Sequence, residues 1–162
     1  MAMVKIVSSR ASCDRLYAGS ILVKDNRIIS SGYNGAPTGL SNCSEIGHLL
    51  EDGHCVRTIH AEHNAILQAA KLGSSSTVDT TMYSKYSPCI HCAKYVIAAG
   101  VKRVVIGKVY RNANVIDFLK EAKIEVDIYK ENTEWSQELI KIFGEDIPER
   151  GNESAINMEG KM

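Results

Sequence analysis

Two short stretches, His60-Ala61-Glu62 and Pro88-Cys89-Ile90-His91-Cys92, restrict this chain more than anything else in it. Each stands where a helical pattern begins. Cys89 and Cys92 are three apart at a helix start, so their sulfurs point the same way and can reach one ion. The dipole of that helix end favours thiolate, which lowers the cost of deprotonating both. His60 opens the preceding helix and completes a set of three. Three protein ligands with a fourth position left for water is the arrangement of a catalytic zinc. Glu62 lies two residues on, near such a metal without having to bind it, where a carboxylate can carry protons. His63 and His91 read as helix-face residues. Whatever the fold, it must bring two separate helix N-termini to one point.

The rest of the chain supplies the frame for that meeting. A short helix is expected within Met1 to Cys13. Ala18 to Lys24 and Arg27 to Tyr33 are strand-like, and the Asp25-Asn26 pair between them predicts a tight β-hairpin. Tyr33 to Cys55 is rich in Gly, Asn, Ser and Pro and reads as a long loop with one helical turn near Ile46 to Leu50. Ala61 to Leu72 has helical composition and is stopped by Gly73. Thr80 to Ser84 is a strand, Pro88 starts a helix over Cys89 to Ala99, and Gly100 closes it. A strand over Arg103 to Val109, a helix over Ala113 to Ala122 and a strand over Ile124 to Tyr129 follow. The order predicts an α/β domain over residues 1–130 built on a single five-stranded mixed sheet. Its last two strands should be parallel, because a helix separates them. Residues 131–162 read as a C-terminal extension, with a helix over 133–143 and a mobile tail.

Charge and cysteine usage narrow the function. Nineteen basic residues balance nineteen acidic ones. A nucleic-acid binder usually carries a basic surplus to neutralise phosphates, so the balance favours a small substrate over a polynucleotide partner. No apolar run approaches the roughly 20 residues that span a bilayer. The N-terminus lacks the apolar core and cleavage site of a signal peptide. Five cysteines, an odd number, in a chain without an export signal are more often metal ligands or catalytic groups than disulfides. The expected location is the cytoplasm, or a host cytoplasm for a viral protein.

Outside the first cluster, Cys13, Cys43 and Cys55 remain, with His48 five residues after Cys43. A Cys3His set suits a closed structural zinc site, and a metal there would hold down the long loop, since its binding free energy adds to folding. His54 is the competing fourth ligand. The alternative is three unpaired cysteines, some of them in the core.

The His60-x-Glu62 and Pro88-Cys89-x-x-Cys92 spacing has the form of the zinc deaminase signature. Further stretches narrow the resemblance: Cys13-Asp14-Arg15, Ile21 to Ile29, Ser31-Gly32-Tyr33-Asn34-Gly35-Ala36-Pro37, and His60 to Ile66. With Ser87-Pro88-Cys89-x-x-Cys92 they cover about residues 8 to 129. The chain resembles the deoxycytidylate (dCMP) deaminase family of the cytidine deaminase-like superfamily. The Gly-Tyr-Asn-Gly-x-Pro segment and the Cys/His loop before His60 point to the dCMP branch.

That resemblance implies a three-layer α/β/α sandwich and conversion of dCMP and water to dUMP and ammonia. It implies catalytic Zn2+ on His60, Cys89 and Cys92, Glu62 as proton shuttle, and substrate contacts from Asn34, Ala61, Ser87, Tyr110 and Arg111. Arg15 is a candidate for the 5′-phosphate, which a guanidinium binds in a bidentate fork. Many relatives are hexamers, activated by dCTP and inhibited by dTTP with Mg2+. The resemblance puts that effector at the Gly-rich segment, Asn34, Gly35 and Gly39, where glycine lets backbone approach a triphosphate. The competing readings are a free-nucleoside or guanine-type deaminase, a polynucleotide editor, and an inactive zinc-stabilised nucleotide-binding module. Glu62 argues against the last, since a scaffold needs no proton carrier there.

Overall fold

The computed structural model describes residues 1–73, 76–110 and 114–130, together with Gln137, Glu138 and Lys141. Apart from those three residues, the helix expected over 133–143 and the tail after it lie outside the described residues. Strands β1 (Gly19–Lys24) and β2 (Arg27–Tyr33) form the predicted hairpin. Its turn works because Asp25 and Asn26 both take positive φ, 49° and 59°, the backbone a two-residue turn between twisted strands requires. Helix α1 (Ala2–Ser8) precedes the hairpin. After it come α3 (Ala61–Leu72), β5 (Thr81–Tyr86), α4 (Ile90–Ala98), β6 (Arg103–Lys108), α5 (Asn114–Glu121) and β7 (Glu125–Ile128).

The sheet order is β2-β1-β5-β6-β7. β1 runs antiparallel to β2 and β5, while β5, β6 and β7 are mutually parallel in sequence along the sheet. The expected five-stranded mixed sheet with a parallel final pair is therefore present. Each parallel step is joined by a helix, α4 and then α5.

Residue alternation along β1 assigns the layers. A Cβ on Gly19 would meet the backbone of α1, 2.6 Å from the Val4 oxygen and 2.7 Å from the Ser8 nitrogen. The next residue, Ser20, turns its hydroxyl towards Ser84 and, through it, Glu62 on α3. Neighbouring strand residues face opposite sides, so α1 covers one face and α3 the other. On the α3 face, Leu22, Met82, Val104 and Ile106 pack with Ala65 and Ala69 of α3, Ala93 and Val96 of α4, and Val115 and Leu119 of α5. This is the main core.

The segment between β2 and α3 differs from the expected loop. Its helical turn is α2 (Cys43–Ile46), earlier than Ile46 to Leu50. The Glu45 side chain accepts the Asn42 backbone N–H at 2.8 Å, so an Asn-x-x-Glu cap starts the turn there. Leu50–Glu51 (β3) and His54–Cys55 (β4) form a small ladder around Asp52-Gly53, both at positive φ. These local signals sit in a stretch whose composition otherwise reads as loop.

Helix α3 lies directly on β2. A Cβ at Gly32 would run into the backbone of Ala61, Asn64 and Ala65, and the Ser30 hydroxyl donates to the Ala65 carbonyl from the same face. The start of α3 is thus set by main-chain contact, with little room for adjustment. Gly32→Ala is expected to cost about 3 kcal/mol, the upper range for forcing extra volume into a packed interior. Denaturant unfolding would read it, and a change under about 0.5 kcal/mol would contradict the contact.

Candidate metal centres and active site

His60 is the N-cap of α3 and Cys89 the N-cap of α4, both with extended backbone (φ/ψ −67°/155° and −72°/168°). Cys89 thus sits one position outside the helix expected to include it. Its sulfur accepts the backbone N–H of Cys92 at 3.5 Å, as a capping oxygen would. Because α3 and α4 pack together on one face of the sheet, their N-termini open at the same place.

There the His60 Nδ1 lies 3.5 Å from the Cys89 sulfur and 3.4 Å from the Cys92 sulfur. Bond lengths of about 2.3 Å to sulfur and 2.05 Å to nitrogen at a tetrahedral ion give about 3.6 Å between such donors. The three side chains therefore fit one zinc. Sharing of a proton between the two sulfurs has a clear direction. The Cys92 side chain, and then, against burial, His60 and the Cys92 backbone N–H, hold the Cys89 thiol down at about 3. The same pairing, with burial, pushes Cys92 up. Of the nearby histidines, His91 is exposed, and His63 is half-buried with its ring stacked on Tyr95 at 4.1 Å between centroids.

Glu62 is the second residue of α3 and 5% exposed. Burial raises its pKa above the usual carboxylate range, opposed by His60. A carboxylate held in this way accepts a proton more readily than one in water. Its Oε1 receives a hydrogen bond from the Ser84 hydroxyl at 3.1 Å.

The other cysteines also converge. Donor atoms of Cys13, Cys43, His48 and Cys55 all lie within 4.8 Å of one another. The Cys43 and Cys55 sulfurs are 3.6 Å apart, and the Cys13 sulfur is 3.7 Å from His48 Nδ1. About 3.8 Å separates two sulfurs on a tetrahedral zinc, against about 2.05 Å in a disulfide. His48, and not His54, belongs to this group. The His48 Nε2 lies 3.2 Å from the Asp14 carboxylate, so Nδ1 is turned to the sulfurs, the orientation a ligating histidine receives from a carboxylate behind it. Burial pushes the Cys43 thiol up to about 12. Burial also acts against Cys55, but the Arg57 backbone N–H and the Cys43 and His48 side chains bring it down to about 7. Asp14 and Ser84 were not among the candidates from sequence. Asp14 adjoins Cys13 and could have been noticed; Ser84 becomes visible only once β5 lies beneath α3.

The remaining candidates have definite places. Asn34 uses its amide as a clamp: Oδ1 accepts the Ala18 N–H at 2.8 Å and Nδ2 donates to the Leu16 carbonyl at 2.7 Å. Arg15 donates to the Gly53 carbonyl at 2.8 Å and so holds the β3–β4 turn. Ser87 bonds the Tyr110 backbone twice, donating to its carbonyl at 3.1 Å and accepting its N–H at 2.8 Å. That joins the approach to Cys89 to the end of β6. Ala61 is fully buried at the first position of α3. Arg111 lies outside the described residues. Gly35 pairs with Ile59 and lines a cleft of about 410 Å3 together with Arg10, Tyr33, Asn42, Asn64 and Lys71. Asn34 and Gly39 do not line that cleft.

Residues 1–108 match the family model described as the cytidine and deoxycytidylate deaminase zinc-binding region. The chain is 43% identical over 111 residues to ComE operon protein 2 of Bacillus subtilis (strain 168), a match covering 68% of this chain and 58% of that protein. The chain thus spans less than two thirds of that relative. Over 161 residues it is 34% identical to the deoxycytidylate deaminase of Enterobacteria phage T4, covering 75% of this chain and 83% of the phage protein. The crystal structure of dCMP deaminase from the cyanophage S-TIM5 in complex with dCMP and dUMP is similar at TM-score 0.71 and 34% identity, covering 79% of this chain and 92% of that one.

The clamp made by Asn34 predicts a stability effect. Asn34→Ala removes two hydrogen bonds from a residue only 6% exposed and should lower the unfolding free energy by about 2 kcal/mol. The denaturant midpoint reads this; an unchanged midpoint would remove the clamp from the structural account.

Proposed function

Because this chain belongs to the cytidine and deoxycytidylate deaminase family, we propose that it deaminates dCMP hydrolytically to dUMP and ammonia at a zinc held by His60, Cys89 and Cys92. The observation that carries the reading is the set of three donors at zinc-ligand spacing with a buried carboxylate two residues from one of them. Zinc, when bound, acidifies a water to a pKa of about 7 and so provides a nucleophile near neutral pH. As that water attacks the ring carbon bearing the amine, Glu62 would take one proton from it and pass it to the ring nitrogen. Glu62 would then take the second proton, from the new hydroxyl on that ring carbon, and pass it to the amine, which leaves as ammonia. Its raised affinity for a proton suits both halves of this task. Ala61 and Ser87 flank the ligands in sequence and form part of the substrate wall, with Asn34, Tyr110 and Arg111 as further contacts. Arg15 or Arg111 takes the 5′-phosphate.

The same reading gives Cys13, Cys43, His48 and Cys55 a second, structural zinc, supported by the sulfur spacing and by Asp14 behind His48. It makes the enzyme responsive to dCTP as activator and dTTP as inhibitor, each with Mg2+. The Gly35 cleft, with Arg10 and Lys71 on its wall, supports a polyphosphate site. A homo-hexamer acting in the cytoplasm completes the reading by family likeness. No helix among the described residues is long and apolar enough to cross a membrane.

Ammonia release should be measured from dCMP, CMP, deoxycytidine and a cytosine-containing oligonucleotide, with and without dCTP or dTTP plus Mg2+. Turnover of dCMP above the others, raised by dCTP and lowered by dTTP, is the expected result. Preference for the nucleoside or oligonucleotide would overturn the substrate, and rates indifferent to the triphosphates would overturn the regulation. Glu62→Gln should lower kcat by about 10³-fold with its zinc retained.

Metal analysis of the loaded protein should give two zinc ions per chain. Cys43→Ser should reduce this to one and lower the thermal midpoint, because metal binding and folding are linked. A single zinc in the fully active parent protein would rule out the structural site.

A further inference from the structure

The α3-facing side of the sheet is apolar where it can be: Leu22, Met82, Val104 and Ile106 are all fully buried. Three buried serines break this face: Ser30 on β2, which bonds the Ala65 carbonyl of α3, and a facing pair. Ser20 on β1 and Ser84 on β5 stand directly opposite each other in the antiparallel ladder and are 0% and 1% exposed. Buried hydroxyls cost free energy unless bonded, and an alanine or valine would pack at either place. These two are bonded in a row. The Ser20 hydroxyl donates to the Ser84 oxygen at 2.8 Å, and the Ser84 hydroxyl donates to Glu62 Oε1 at 3.1 Å.

We propose that Ser84, backed by Ser20, is a positioning residue for the Glu62 carboxylate, fixing one oxygen so that the other is presented to the reacting water and base. Each serine has one hydroxyl hydrogen. Ser20 spends its hydrogen on Ser84, which leaves the Ser84 hydrogen directed at Glu62. Successive donors polarise one another, so the second bond strengthens the first. The arrangement ties the proton carrier to the strand that also delivers Cys89, since Ser84 and Cys89 are joined by four residues of β5 and its exit. One carboxylate oxygen is therefore held against the strand that leads to Cys89. A carboxylate without this bond samples more orientations, and misplacement of a proton-transferring group lowers turnover more than substrate affinity.

The proposal rests on Glu62 being the proton carrier. Ser84→Thr and Ser84→Val have the same shape, and only the threonine keeps a hydroxyl, so strain from added bulk is common to both. In dCMP turnover the valine variant should show kcat about 30-fold below the threonine variant, with equal KM and equal zinc content. The infrared carboxylate band of Glu62, isolated by difference against Glu62→Gln, should shift between the two. Ser20→Ala, which removes only the outer link, should lower kcat about fivefold and do nothing further in the Ser84→Val background. Equal kcat and equal bands for threonine and valine would overturn the proposal. So would a loss confined to KM or zinc content. If Glu62→Gln itself retained turnover, the role given to Glu62 would fall first; if it is inactive while the two Ser84 variants match, only the serine proposal falls.

Discussion

The structure depends on the meeting of two helix N-termini. α3 and α4 each begin at a residue that is both cap and candidate ligand, His60 and Cys89. The extended backbone of a cap turns its side chain away from the helix path, and the first turn behind it offers unpaired N–H groups that favour anionic sulfur. Ligand geometry and helix initiation are therefore the same local event. A shift of either helix by one residue would move a ligand and a cap together.

What holds the two ends in place is main-chain contact more than side-chain packing. Gly32 admits α3 against β2 with no intervening carbon, and Gly19 does the same for α1 on the other face. Ser87 then ties the approach to α4 to the end of the neighbouring strand through two hydrogen bonds with Tyr110. Side-chain packing tolerates small displacements, whereas backbone contact transmits them. A centre requiring donors within tenths of an ångström is well served by the second kind of support.

Most of the fold and the grouping of His60, Cys89 and Cys92 could be read from the sequence, because their signals are local. The Asp25-Asn26 turn, the Gly73 and Gly100 stops and the Pro88 start each act within a few residues. The H-x-E and C-x-x-C spacings encode their own geometry once a helix is assumed. α2 lies earlier than composition suggests, because its Asn42-x-x-Glu45 cap starts a helical turn inside a stretch whose Gly, Asn, Ser and Pro content argues for loop. The Ser20–Ser84–Glu62 row could not be read at all. It joins residues on β1, β5 and α3 through a strand register that no local pattern specifies. Asn34 shows a further limit, since a motif residue expected at substrate also holds its own loop together.

The Cys13, Cys43, His48 and Cys55 cluster has a topological effect. Its first member precedes the β1–β2 hairpin and its last ends β4, so the ligands embrace the strands that open the sheet. A metal held there would close a loop of about forty residues in the unfolded ensemble, removing entropy worth about 4 kcal/mol by the chain-closure relation used for cross-links. That approaches the lower end of the net stability of ordinary domains, about 5 kcal/mol. Two sites in one chain would then divide the work between them: one draws on the metal's chemistry, the other on its power to make the disordered chain smaller.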